Sequence, residues 1–136
     1  MIDPQVHVRL ARPTGQLAAI EKFYFDGLGL DVLYRATGDR AAGECDLLMV
    51  GWRAANWHLE LTFDPRQPVQ PTPTVEDLLV LYLDGMIPDA LVRQLVNAGG
   101  RRVPAHNSYW DRFGITIEDP DGYRLVLCER SWNNMR

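Results

Sequence analysis

Phe113-Gly-Ile-Thr-Ile-Glu-Asp-Pro-Asp-Gly-Tyr-Arg-Leu-Val-Leu-Cys-Glu129 is the stretch whose reading decides the fold. Ile115 and Ile117 alternate with Thr116 and Glu118, and Leu125 and Leu127 alternate with Arg124, Val126 and Cys128. That period of two belongs to half-buried strands. Between the runs, Asp119-Pro120-Asp121-Gly122 joins a fixed φ at proline to a permissive glycine. The stretch therefore reads as a β-hairpin.

Working back from the hairpin, Arg101 to Val103 is a short strand and Leu78 to Leu83 a longer one. Between those two strands, Pro88 opens a helix where its missing N–H is harmless, with Leu91, Val92, Leu95, Val96 and Ala98 as the apolar stripe and Gly99-Gly100 as the stop. Pro104 to Asp111 reads as a long aromatic loop before the hairpin. The first half repeats this grammar. Gln5 to Ala11 alternates Val6, Val8 and Leu10, expected against a helix, with His7, Arg9 and Ala11 on the other face. Thr14 can cap a helix carrying Leu17, Ile20, Phe23, Tyr24 and Leu28, and strands follow at Leu30 to Ala36, Cys45 to Val50 and Trp57 to Phe63. Each half is thus βαβββ, and the prolines at 65, 68, 71 and 73 make a stiff connector between them.

With 136 residues, 46% apolar and 24% charged, the chain can bury one core or two small modules sharing one. A net charge of -4 supplies no basic surface for phosphates, which argues against nucleic acid as a partner. No apolar run approaches the roughly 20 residues that cross a bilayer, and Met1-Ile2-Asp3-Pro4 lacks a signal-peptide pattern. The expectation is a cytoplasmic protein with no membrane partner. Cys45 and Cys128 fit no metal or redox spacing and read as reduced structural thiols.

Two βαβββ modules, an opening strand carrying His7-Val8, His58-Leu59-Glu60-Leu61, and Asp-Pro-Asp-Gly before the last strand together resemble the vicinal oxygen chelate superfamily. Glyoxalase I, bleomycin-resistance proteins and extradiol dioxygenases are members. The resemblance runs from about Val6 to Cys128 and rests on module order and the terminal turn. It implies a single α+β domain over residues 1–136, with modules at 5–63 and 76–130 joined by a Pro-rich linker at 64–75. In that family each sheet curls into a half-barrel, two modules enclose a site, and homodimers are frequent.

Carrying the family's metal positions across gives His7, Glu60, Leu78 and Val126. The first two are apt ligands and the last two have no lone pair. His58 could complete a two-histidine, one-carboxylate set, although cup-facing residues two apart on a strand lie about 6.6 Å apart along it. Iron, zinc, manganese or nickel would suit such a set, and a hydrogen-bonded His7–Glu60 remnant is the alternative. The resemblance makes Leu78, Val80, Tyr82, Arg124, Val126 and Cys128 the other cup-facing residues, an apolar patch with a few polar groups. Arg9 and Arg124 could clamp an anion or pair with Glu60 and Glu118, while Tyr82, Tyr109 and Trp110 could line a ligand. Two functions follow from the resemblance. The first is a protein binding a small aromatic or anionic molecule; the second is a metal-dependent lyase, isomerase or dioxygenase using His7 and Glu60, with Glu60 shuttling a proton.

Overall fold

The computed structural model describes residues 1–135. The chain divides into two compact units, Met1–Pro71 and a second beginning at Thr72.

In the first unit, strand β1 (Val8–Pro13) leads to helix α1 (Leu17–Glu21), which continues as wider π-helical turns over Lys22–Gly27. Strands β2 (Asp31–Ala36), β3 (Asp46–Gly51) and β4 (Trp57–Phe63) follow. They form one sheet in the order β1-β4-β3-β2, with β1 parallel to β4 and the other pairs antiparallel. The apolar alternation explains the sheet's helix side. Leu48, Val50, Leu59 and Leu61 are buried together with Ile20, Phe23 and Tyr24, because α1 lies against β3 and β4. Each such large side chain contributes about 1.5–3 kcal/mol of transfer free energy.

One expectation fails here. Val6, Val8 and Leu10 are exposed, Val8 by 56% and Leu10 by 46%, although their parity places Val8 and Leu10 on the helix side. The reason is coverage: β1 is an edge strand, and α1 sits over its inner neighbours. Only Arg12, whose guanidinium donates to the Tyr24 hydroxyl at 3.4 Å, and Thr14 are buried at this end. Thr14 does not cap α1; the residue before the helix is Gln16, and the Thr14 hydroxyl accepts from the Gln16 N–H at 3.1 Å.

In the second unit, β5 (Leu78–Tyr82), α2 (Asp89–Asn97), β6 (Arg101–Val103), α3 (Ser108–Phe113), β7 (Gly114–Glu118) and β8 (Arg124–Cys128) follow in order. The sheet order is β5-β8-β7-β6, the same plan, with β5 parallel to β8. Leu95 of α2 and Ala98 just after it are buried, whereas Val96, expected in the stripe, is exposed. Part of the expected aromatic loop is helical: Asn107 caps α3, its side-chain oxygen accepting from the Tyr109 N–H at 3.0 Å. At the hairpin turn the buried Asp119 carboxylate accepts from the N–H groups of Asp121 at 2.8 Å and Tyr123 at 3.0 Å, and Gly122 takes φ +90°. That left-handed position explains the glycine. No helix among the described residues is long and apolar enough to cross a membrane.

Candidate functional site

The parallel pairing of β1 with β4 sets Arg9 beside His58 and Ala11 beside Glu60, on the face away from α1. Across β3, Met49 stands opposite Glu60. His7 lies one residue before β1 and reaches the same face: its Nε2 is 2.7 Å from His58 Nδ1, a hydrogen bond between two rings. Arg9 Nη1 is 3.4 Å from Glu60 Oε1, the guanidinium half-exposed and the carboxylate nearly buried. His7 thus meets His58 rather than the expected Glu60, and no ion pair joins His7 to Glu60 among the described residues.

His58 is 8% exposed, and its Nε2 is buried with no hydrogen-bond partner. Burial, then the neighbouring His7 and Arg9, lower its pKa against the opposing pull of Glu60, so the ring is held neutral. An orphaned N–H costs more than a bare lone pair, which favours the tautomer that donates from Nδ1 to His7. Gly51 makes the space: a Cβ there would come within 3.0 Å of His58 Cβ and 3.2 Å of Leu33 Cδ1.

These residues do not fit a resident metal. His7 and His58 use their facing nitrogens on each other, Glu60 faces a guanidinium, and Leu78 and Val126 offer no donor. Among the described residues no three His, Cys, Asp or Glu side chains gather as a metal-holding group.

In the second unit the equivalent face is apolar. Register places Leu78, Val80 and Tyr82 beside Arg124, Val126 and Cys128, with Thr116 next to Val126. Val126 and Cys128 are buried, and the buried Thr116 hydroxyl has no partner. Arg124 is engaged: Nε is 3.9 Å from Glu118, and Nη1 donates to the Pro104 carbonyl at 3.4 Å. Of the two roles open to Arg9 and Arg124, anion clamp or carboxylate partner, each takes the second, Arg9 facing Glu60 and Arg124 facing Glu118 inside their own units.

At the far end of β5 the aromatic residues come together. Tyr82 lies 6.5 Å from Trp110 and 6.4 Å from Trp132, ring centre to ring centre, and Tyr109 lies 5.0 Å from both Trp110 and Phe113. The chain beyond β5 pairs with the last residue of β8 and the chain after it, Leu83 N donating to Cys128 O at 2.8 Å and Asp84 N to Arg130 O at 3.2 Å. This ladder fixes Tyr82 against residues 130–132. Tyr82, Tyr109, Arg130, Ser131 and Trp132 line an open cavity of about 550 Å³. Sequence reasoning singled out Tyr82, Tyr109 and Trp110 and passed over Arg130 and Ser131. Their position just after the last strand, level with the end of β5, was the available signal.

Two family models match the chain: the YycE-like N-terminal domain over residues 8–62 and the YycE-like C-terminal domain over residues 76–129. The uncharacterized protein YycE of Bacillus subtilis (strain 168) is 38% identical over 121 residues, 88% of this chain and 85% of that protein. A crystal structure of a YycE protein of unknown function from Bacillus subtilis has a TM-score of 0.82 at 34% identity, covering 97% of this chain and 95% of that one. TnmS3, an antibiotic binding protein from Streptomyces sp. CB03234, has a TM-score of 0.63 at 24% identity, covering 96% of this chain and 99% of its own, and shares the fold. The trypanothione-dependent glyoxalase I of Leishmania major shares it too, with a TM-score of 0.66 at 21% identity over 88% of this chain and 83% of that one. The expected vicinal oxygen chelate architecture, two α+β modules with this strand order, is the one found.

Proposed function

We propose, since the chain belongs to the YycE-like family of the vicinal oxygen chelate superfamily, that it binds a small organic molecule and sequesters it without transforming it. The observation that carries this reading is the aromatic wall of Tyr82, Tyr109 and Trp132 around an open cavity of about 550 Å³. Flat, weakly hydrated ring faces beside a few polar groups are what a small-molecule site needs. On the first sheet His7, Arg9, His58 and Glu60 are occupied with one another, which supports binding over chemistry at a metal. The antibiotic-binding activity named for the Streptomyces neighbour belongs to the same class. The reading includes a cytoplasmic homodimer whose partner is a small molecule.

The test combines elemental analysis with a ligand screen. The purified chain is incubated with iron, zinc, manganese or nickel salts, desalted and assayed for metal; separately, a library of one- and two-ring compounds is screened by calorimetry. Saturable one-to-one binding of an aromatic compound without retained metal is expected. One tightly held metal per chain, lost in His7→Ala, would overturn the reading in favour of a metal-dependent lyase, isomerase or dioxygenase with Glu60 as its proton carrier.

A further inference from the structure

We infer that the cavity at the end of β5 takes a planar aromatic anion, its ring against Trp132 and Tyr109 and its anionic group on Arg130. The inference rests on the binding reading above and adds the chemical class of the ligand. Three observations carry it. Trp132 is 59% exposed and Tyr82 and Tyr109 about 40%, so broad aromatic surface faces solvent around one cavity instead of filling a core. The Arg130 guanidinium lies 4.5 Å above the Phe113 ring centre, and no carboxylate pairs with it among the described residues. Stacking of that kind holds the planar group by its face and leaves its N–H edge for an anion. Ser131 beside it adds a hydroxyl, and Arg130 and Ser131 also line the adjoining hollow with Asp84 and Asn133.

Arg9 and Arg124, by contrast, already face Glu60 and Glu118. Drawing Arg9 onto a ligand strands Glu60, and drawing Arg124 away gives up its Glu118 pair and its bond to the Pro104 carbonyl, whereas Arg130 has no carboxylate partner among the described residues to lose. The cavity volume suits a molecule of one or two fused rings.

The full-length chain is titrated by calorimetry with 2-naphthoate, the neutral 2-naphthamide and the saturated cyclohexanecarboxylate. The ¹⁵N-labelled indole of Trp132, which donates to Asn134 Oδ1 at 2.8 Å, serves as a local reporter. Expected is 2-naphthoate binding about 10-fold more tightly than the amide, as a charge-assisted hydrogen bond provides. Cyclohexanecarboxylate should bind most weakly, and the Trp132 indole signal should shift with naphthoate. Arg130→Gln should erase the preference for the anion while leaving the amide's affinity unchanged, and Trp132→Leu should weaken both aromatic probes. Equal binding of naphthoate and naphthamide, or a preference that survives Arg130→Gln, would overturn the inference. If neither probe bound while the wider screen gave a ligand shifting the same indole, the aromatic-anion inference would fail and the binding reading would stand. If no compound bound anywhere, both would fail.

Discussion

The two units share one strand order and one pattern of parallel and antiparallel pairing, yet the face opposite α1 in the first and the face bearing Val80 and Val126 in the second are chemically opposite. In the first, the β1–β4 pair carries Arg9, His58 and Glu60, with His7 just outside the strand. In the second, the β5–β8 pair carries Val80 and Val126 across the middle, with Leu78 beside Arg124 at one end and Tyr82 and the aromatic residues at the other. The same backbone plan thus supports a mutually paired polar cluster in one place, with His58 Nε2 left over, and an apolar strip with an aromatic rim in the other. What separates them is pairing: a carboxylate and an imidazole are tolerated where a guanidinium and a second imidazole meet them.

The strongest challenge to that contrast is Val126→Asp, which puts a carboxylate on the apolar strip with no cation prepared for it. Val126 is fully buried, so a loss of more than about 3 kcal/mol in urea unfolding is expected. A loss below 1 kcal/mol would show that the second face accepts charge as the first does. Next in size is Gly51→Val, which forces a branched side chain against His58 and Leu33. About 1–3 kcal/mol of destabilisation is expected, together with displaced His58 ring signals in NMR. Unchanged signals would mean that Gly51 is not what seats the imidazole.

Arg9→Gln sharpens the contrast at lower cost. It leaves Glu60, nearly buried, without its cation, and about 1 kcal/mol is expected because the half-exposed guanidinium is already weakened by solvent. Arg9→Gln combined with Glu60→Gln should recover most of that loss, as a double-mutant cycle would read out. The smallest effect is a pH dependence from His58, whose folded-state pKa lies below its unfolded value because the ring is buried beside His7 and Arg9. In the window below about 6.5 the unfolded chain binds a proton that the folded chain refuses, so stability rises with pH there. The contribution is full above the unfolded pKa and is lost as pH falls through 6.5 toward the folded value. Urea midpoints at pH 8 and pH 5.5 should differ in that direction, and the difference should shrink in His58→Phe.

Much of this architecture was legible from alternation. The period of two in Trp57–Phe63 and around Asp119–Gly122 located strands to within a residue, because sheet faces impose it directly. Helix α3 was not, since six residues behind Pro104 have too few apolar positions to show a period, and only Asn107 as a cap gave it away. The exposure of Val8 and Leu10 was hidden for another reason: alternation tells which side a residue takes, not whether anything covers that side. The site shows the same limit. Parity brought His7, His58 and Glu60 to one face, but the choice of His58 over Glu60 as the partner of His7 depends on side-chain reach, which spacing does not encode. Arg130 escaped because its importance comes from pairing beyond the strand ends, where no pattern marks it.

The parallel pairing of β1 with β4, and of β5 with β8, has a bearing on how the chain acquires its structure. Each pair joins segments about fifty residues apart, so each must close a long loop before its rungs repay the lost chain entropy. Both loops close within their own unit, and neither threads through the proline-bearing segment between them. The first sheet therefore has every strand it needs once Phe63 has been made, and its assembly can run ahead of synthesis of the second.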